Sequence, residues 1–323
     1  MKGYLNKNLS MLARIREASL GLSLFLAVVI VVAATFVSAD NTSTDLTVGN
    51  AAPAISGLSL NGGNAITLVE NNFVWATSSM TITDNNGCSG INYVEATIYR
   101  ASTSNSGTTC SADDNNCYVG SCVATTTGNT CSGGADVSVE YDCGYKLWYI
   151  ADPTNAGSQF ALDIWSASAT TSDGFATTTA TNTAETIEVN KLLSINVDAS
   201  LSYGSVSPGS DTGALNSTTT ITNTGNAPQD TQIGGDWMCT DYPTCAGGVI
   251  LHTQQEYSLA PFTYGGGTTL AATSSPATVE TVLVKPTATS TPVTDDVSWG
   301  IAVPSGQTQG SYTGANEFTA VDD

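Results

Sequence analysis

Residues 193–203 read LSINVDASLSY, where Leu193, Ile195, Val197, Ala199, Leu201 and Tyr203 alternate with Ser194, Asn196, Asp198, Ser200 and Ser202. Eleven residues of period two cannot present one apolar face on a helix, so the stretch is read as a β-strand with one face buried. Residues 135–149 (ADVSVEYDCGYKLWY) repeat the pattern: Val137, Val139, Tyr141, Cys143, Tyr145 and Leu147 form the apolar set, and Gly144 is a point for a bend or bulge, so the stretch is read as one long strand or two. Shorter runs of the same kind occupy residues 80–83, 94–98, 160–164, 297–303 and 312–320. Turn signals separate them: NGGN at 61–64, DNNG at 84–87, SPGSDTG at 207–213, GGG at 265–267 and PSG at 304–306. Past residue 37 no helical stripe of useful length occurs. The composition agrees, with 48 Thr and 31 Gly among 323 residues, and the fold class is all-β, built from short antiparallel strands in sandwiches.

The first 39 residues form a separate unit. Residues 1–19 are basic and polar, residues 20–37 (LGLSLFLAVVIVVAATFV) are apolar, and Val37, Ser38 and Ala39 place small residues before Asp40, the layout of an export signal. The apolar run is longer than the usual signal core of about 7–15 residues, so residues 1–39 are read as a signal peptide or a retained membrane anchor helix. Under either reading the rest of the chain lies outside the membrane, which it meets only through this segment. Its location is extracellular or at the cell surface.

Four of the eight Lys and Arg residues lie in that segment, and residues 40–323 carry 4 bases against 27 acids, a formal net charge of −23. Such a body excludes nucleic acid as a partner, because phosphate binding requires clustered bases. A single histidine, His252, leaves no multi-histidine metal site and no marked triad. No nucleophile, base or orienting acid is marked out by a motif, so an enzyme is not expected.

Residues 40–52 form a polar leader, and the remaining chain divides near 188–192 into units of residues 53–190 and 191–323. Cys88, Cys110, Cys117, Cys122, Cys131 and Cys143 fall in the first, Cys239 and Cys245 in the second, so each holds an even set. Without a CxxC spacing, and beyond an export signal, these cysteines are read as disulfides. Six cysteines allow 15 pairings. The position of Cys143 on an apolar strand face suggests a buried inter-sheet bridge to Cys88, with Cys110–Cys117 and Cys122–Cys131 stapling an insertion, and Cys239–Cys245 closing a short loop.

The segments SLSYGSVSPGSDTGALNSTTTITNTGNAPQDTQIGG (200–235) and VSWGIAVPSGQTQGSYTGANEFTAV (297–321) resemble immunoglobulin-like surface domains of bacteria and archaea, including those of S-layer and related envelope proteins. TITDNNGCSGINYVEATIYR (81–100) is similar to modules of exported proteins from the same settings. The resemblance implies two immunoglobulin-like antiparallel β-sandwiches in an envelope or secreted protein, and it brings no catalytic residues with it.

Two ligand classes remain in view. Hard oxygen ligands cluster at Asp84, Asn85 and Asn86, at Asp113 and Asp114, and at Asp295 and Asp296, so Asp84, Asn86, Asp113, Asp114, Asp295 and Asp296 are candidate calcium ligands, with plain turn chemistry as the alternative. Trp148 falls on the polar side of its strand, a candidate contact for a glycan or a protein partner. The sequence therefore points to an exported structural or interaction protein, a surface-layer or filament subunit whose partners are like subunits or other surface proteins. The alternatives are a carbohydrate-binding adhesin and, third, an extracellular hydrolase using paired carboxylates.

Overall fold

The computed structural model describes residues 42–182 and 184–323. The apolar segment read as a signal or anchor lies outside the described residues. Residues 42–50 are exposed and without regular structure, and residues 50–323 form one compact unit. Every strand pairing within the sheets is antiparallel, so the chain is all-β.

The first sheet has seven strands: β1 (Ala54–Leu60), β2 (Phe73–Thr83), β3 (Tyr93–Arg100), β4 (Cys117–Ala124), β5 (Ser138–Trp148), β6 (Trp165–Ser172) and β7 (Thr177–Thr181), in the order β1-β2-β5-β4-β3-β6-β7. Its terminal strand β1 also packs against β6 and β7, so the sheet curls around its own core. The odd residues of β5 point into that core: Val139, Cys143, Tyr145 and Leu147 are buried with Ile82, Ile98 and Trp165. Of the two readings of residues 135–149 the single strand holds: β5 runs through Gly144 and pairs without interruption with β2 from Phe73 opposite Trp148 to Thr83 opposite Ser138. Residues 160–164, read as a strand, form a turn ahead of β6. The Asp163 carboxylate accepts the N–H groups of Ile164 and Ser102, which competes with ladder bonding there.

The second core is enclosed by two sheets. One has the order β15-β10-β17 and the other β14-β13-β16-β9-β8, with β8 (Ile195–Val197), β9 (Ser217–Asn223), β10 (Gln229–Gly235), β13 (Gln255–Ser258), β14 (Thr268–Thr269), β15 (Ala277–Leu283), β16 (Thr294–Ile301) and β17 (Asn316–Asp322). A small pair, β11 (Met238–Cys239) and β12 (Val249–Ile250), lies apart. Ile221, Ile233, Tyr257, Val279, Val297 and Trp299 from both sheets share this core. The eleven-residue alternation at 193–203 becomes a strand of only three residues. Beyond Val197 the Asp198 side chain accepts the Thr220 N–H at 2.9 Å and takes the place of a ladder carbonyl. The face is nonetheless as read for four residues, since Ile195, Val197, Leu201 and Tyr203 pack against the core while Ala199 is exposed.

All eight cysteines are paired. Cys110–Cys117 and Cys239–Cys245 form as expected from their spacing. The other two expected bridges are corrected: Cys143 pairs with Cys122 and Cys88 with Cys131. The reason is register, because Cys122 on β4 stands directly opposite Cys143 on β5. The bridge joins neighbouring strands of one sheet rather than two sheets.

Candidate functional site

The candidate calcium ligands occupy separate turns and strands. Asp84 is buried after β2 and accepts the Asn86 N–H at 2.8 Å, a turn that Gly87 completes at φ 117°. The Asn86 side chain accepts the N–H of Ala51. A single oxygen of Asp113 accepts three backbone N–H groups, from Asn115, Asn116 and Cys117, at 2.8–3.0 Å. Asp114 has φ 62° and its carbonyl accepts the Tyr118 hydroxyl. Asp295 accepts the N–H of Val282, and Asp296 the hydroxyl of Thr220. Among the described residues, no three His, Cys, Asp or Glu side chains come together as a metal centre. These carboxylates are organised by the N–H and O–H groups of their own neighbourhoods.

Trp148 leads to a different arrangement. It is half-buried at the end of β5, opposite Phe73 on β2, and two residues earlier Lys146 stands opposite Trp75. Residues two apart on a strand share a face, so Phe73, Trp75, Lys146 and Trp148 lie together on the outer side of the sheet. Phe73 meets both indoles edge to face, at 6.0 Å from Trp75 and 5.4 Å from Trp148. The Lys146 ammonium sits 4.2 Å from the ring centres of both Phe73 and Trp148. Trp75 remains 67% exposed, although its six-membered ring lies over Gly144, where an added methyl would touch Cε3 and Cζ3 at 3.6 and 3.7 Å. The result is a rigid aromatic patch open to solvent, with one cation set into it.

The other three bases of the body are all paired, and two of them, Lys191 and Lys285, reach across the junction between the two cores. Arg100 pairs with Asp152 at 2.8 Å and Asp163 at 2.9 Å, and stacks 3.9 Å from the Phe160 ring centre. Lys285, from the second core, pairs with Asp152 of the first at 3.0 Å, and Lys191 pairs with Asp322. Burial lowers the pKa of Lys285, while the charge and hydrogen bond of Asp152 pull it back up. Beside these ions, Asn226 donates to the carbonyls of Ala151 and Asn190 and accepts the Leu192 N–H, and Gln229 exchanges two hydrogen bonds with the Ser194 backbone.

No family model matches the chain, and no curated protein matches it. The site is therefore read from its own chemistry. Trp148 could be singled out from sequence because it breaks the parity of its strand, whereas Phe73, Trp75 and Lys146 could not. FVW and KLW each carry the i, i+2 spacing, but only the β2–β5 register sets them face to face. His252 lies in a short 3-10 turn between β12 and β13, beside an open surface cleft of ≈ 540 Å³ that Trp237 and Tyr242 also line.

Proposed function

We propose that the chain is an exported cell-surface interaction protein, two disulfide-stapled immunoglobulin-like sandwiches that hold the outer face of β2 and β5 towards the surroundings. The observation that carries the reading is that face. Single exposed apolar residues are ordinary, but three interlocked aromatic rings around a lysine, on a sheet tied by the Cys122–Cys143 bridge, form a preorganised contact surface. Four disulfides are the chemistry of an oxidising compartment, which supports export.

A second observation favours like subunits among the partners. Sheet β15-β10-β17 ends in β15, where the Asp295 carboxylate already takes the Val282 N–H, but on or next to this strand Val282 and Val284 are exposed at 71% and 55%. Neighbouring exposed apolar residues on an end strand offer a contact surface to another chain. A surface-layer or filament subunit would use that surface.

Export is tested by expressing the full chain in a host with an oxidising exterior. Antibody labelling of intact cells should find it outside, with no cysteine open to alkylation. Retention inside the cell with reactive thiols would defeat the reading. Electron microscopy and sedimentation of the exported protein then measure self-assembly, and Val282→Lys should reduce it.

A further inference from the structure

We propose that the outer face of β2 and β5 binds an acidic glycan, with Trp75 stacking on a sugar ring and Lys146 pairing with a sugar carboxylate. The proposal rests on the contact-face reading above and names the ligand class. Trp75 is the most exposed tryptophan of the described residues. Its indole is held against the sheet by Gly144 on one side and the edge of Phe73 on another, so little side-chain freedom remains to be lost on binding. A fixed indole open to solvent suits a ligand with a flat array of C–H groups, which a pyranose ring has. A nucleobase would also stack, but a body of 27 acids and 4 bases repels a phosphate chain.

The cation selects within the sugars. Among the described residues Lys146 is the one base in no ion pair, in a chain with a large excess of carboxylates to offer. Contact with the faces of Phe73 and Trp148 positions the ammonium without neutralising its charge, leaving N–H donors for an outside acceptor. The nearest carboxylate along this face of β5 is Asp142, two positions beyond Gly144. Between them, Thr77 and Ser79 on β2 and Ser121 on β4 supply hydroxyls opposite Gly144 and Asp142, suited to neutral sugar hydroxyls further along the ligand. A single carboxylate-bearing sugar at the Lys146 end, continued by hydroxyl-rich units, matches this order of groups. A highly sulfated polymer would bring its charge against Asp142 and Glu140.

The test uses calorimetry of the whole exported chain with three probes: two neutral oligosaccharides each capped by a single uronic acid, one glucuronic and one galacturonic, and the methyl ester of the first, which keeps the rings and removes the charge. Saturable binding of at least one acidic oligomer is expected, about tenfold tighter than the ester at low salt and weakening as salt rises. Trp75→Ala should abolish it and Trp75→Phe leave a weaker site. Lys146→Gln should bring acid and ester to equal affinity, and Lys146→Arg should restore the preference. Thermal midpoints of all variants check that the fold is retained; both tryptophan variants keep β2 in register, so binding unchanged in them overturns the stacking role. Equal affinity of the intact chain for acid and ester overturns the acidic assignment, and no saturable binding of either acid overturns the glycan altogether. In that last case Trp75→Ala is taken to sedimentation: loss of self-association leaves the contact face standing with a protein partner, and no effect removes that reading as well.

Discussion

Two glycines on adjacent strands show how a single methyl is judged by what stands behind it. A Cβ on Gly120 would lie 2.4 Å from Cε1 of Tyr145, a ring that is fully buried and tied by its hydroxyl to Ser78. Gly120→Ala should therefore cost about 1–3 kcal/mol in chemical denaturation, the price of overpacking a fixed ring. Gly144→Ala meets only the Trp75 indole at ordinary contact distance, and should stabilise by about 0.5 kcal/mol by restricting the unfolded chain. Asp230 provides the pH-dependent case. It is buried on β10, and its pKa is raised by that burial and by the charges of Glu280 and Asp323, against a backbone hydrogen bond from Thr281. The native state is therefore penalised while this carboxylate is ionised. Asp230→Asn should raise the thermal midpoint at neutral pH, and the gain should fade as the pH falls through the raised pKa towards the ordinary value of 3.8. An equal gain at every pH would mean that the effect is packing and not charge.

At the scale of elements, the disulfides separate local from long-range constraint. Cys88–Cys131 closes a separation of 43 residues and Cys239–Cys245 one of 6. In the chain-entropy account, replacing the first pair by Ala should cost about 4 kcal/mol and the second about 2. Equal losses would show that native contacts, not loop closure, dominate. The wrong pairing expected for Cys143 also shows what alternation conveys. Parity places a residue on a face, and the buried odd positions of β5 could be read residue by residue from the sequence. It does not say which strand is the neighbour, because register is set by contacts distant in the chain. The same gap hid the meeting of Trp75 with Lys146. The shortening of the strand at 193–203 has another origin, a side chain competing with the backbone, which hydrophobic patterning does not encode. The candidate aspartates were visible as oxygen clusters, but the N–H groups they accept become apparent only when the turns are folded.

For the whole molecule, the passage from one core to the other carries little of a linker's character. Asn190 donates to Ile66, Lys191 to Asn155 and Leu192 to Asn226, and a Cβ on Gly225 would stand 2.1 Å from the Leu192 carbonyl oxygen. Far-ultraviolet and near-ultraviolet dichroism should follow one shared thermal transition, and two separated transitions would show the cores to be independent. Lys285→Met should lower stability by about 3 kcal/mol, since it leaves the buried Asp152 with Arg100 as its sole counter-ion. Native-state hydrogen exchange should show the passage protected to nearly the same degree as the cores. The scarcity of bases has one further effect. A trypsin-like protease, which cuts after Lys and Arg, finds only Arg100, Lys146, Lys191 and Lys285 beyond residue 39, and Lys285 precedes Pro286, which blocks cleavage. Arg100 ends one strand and Lys146 lies within another, and Lys191 is tied through both its backbone N–H and its ammonium. To a protease of that specificity this acidic body offers almost nothing to cut.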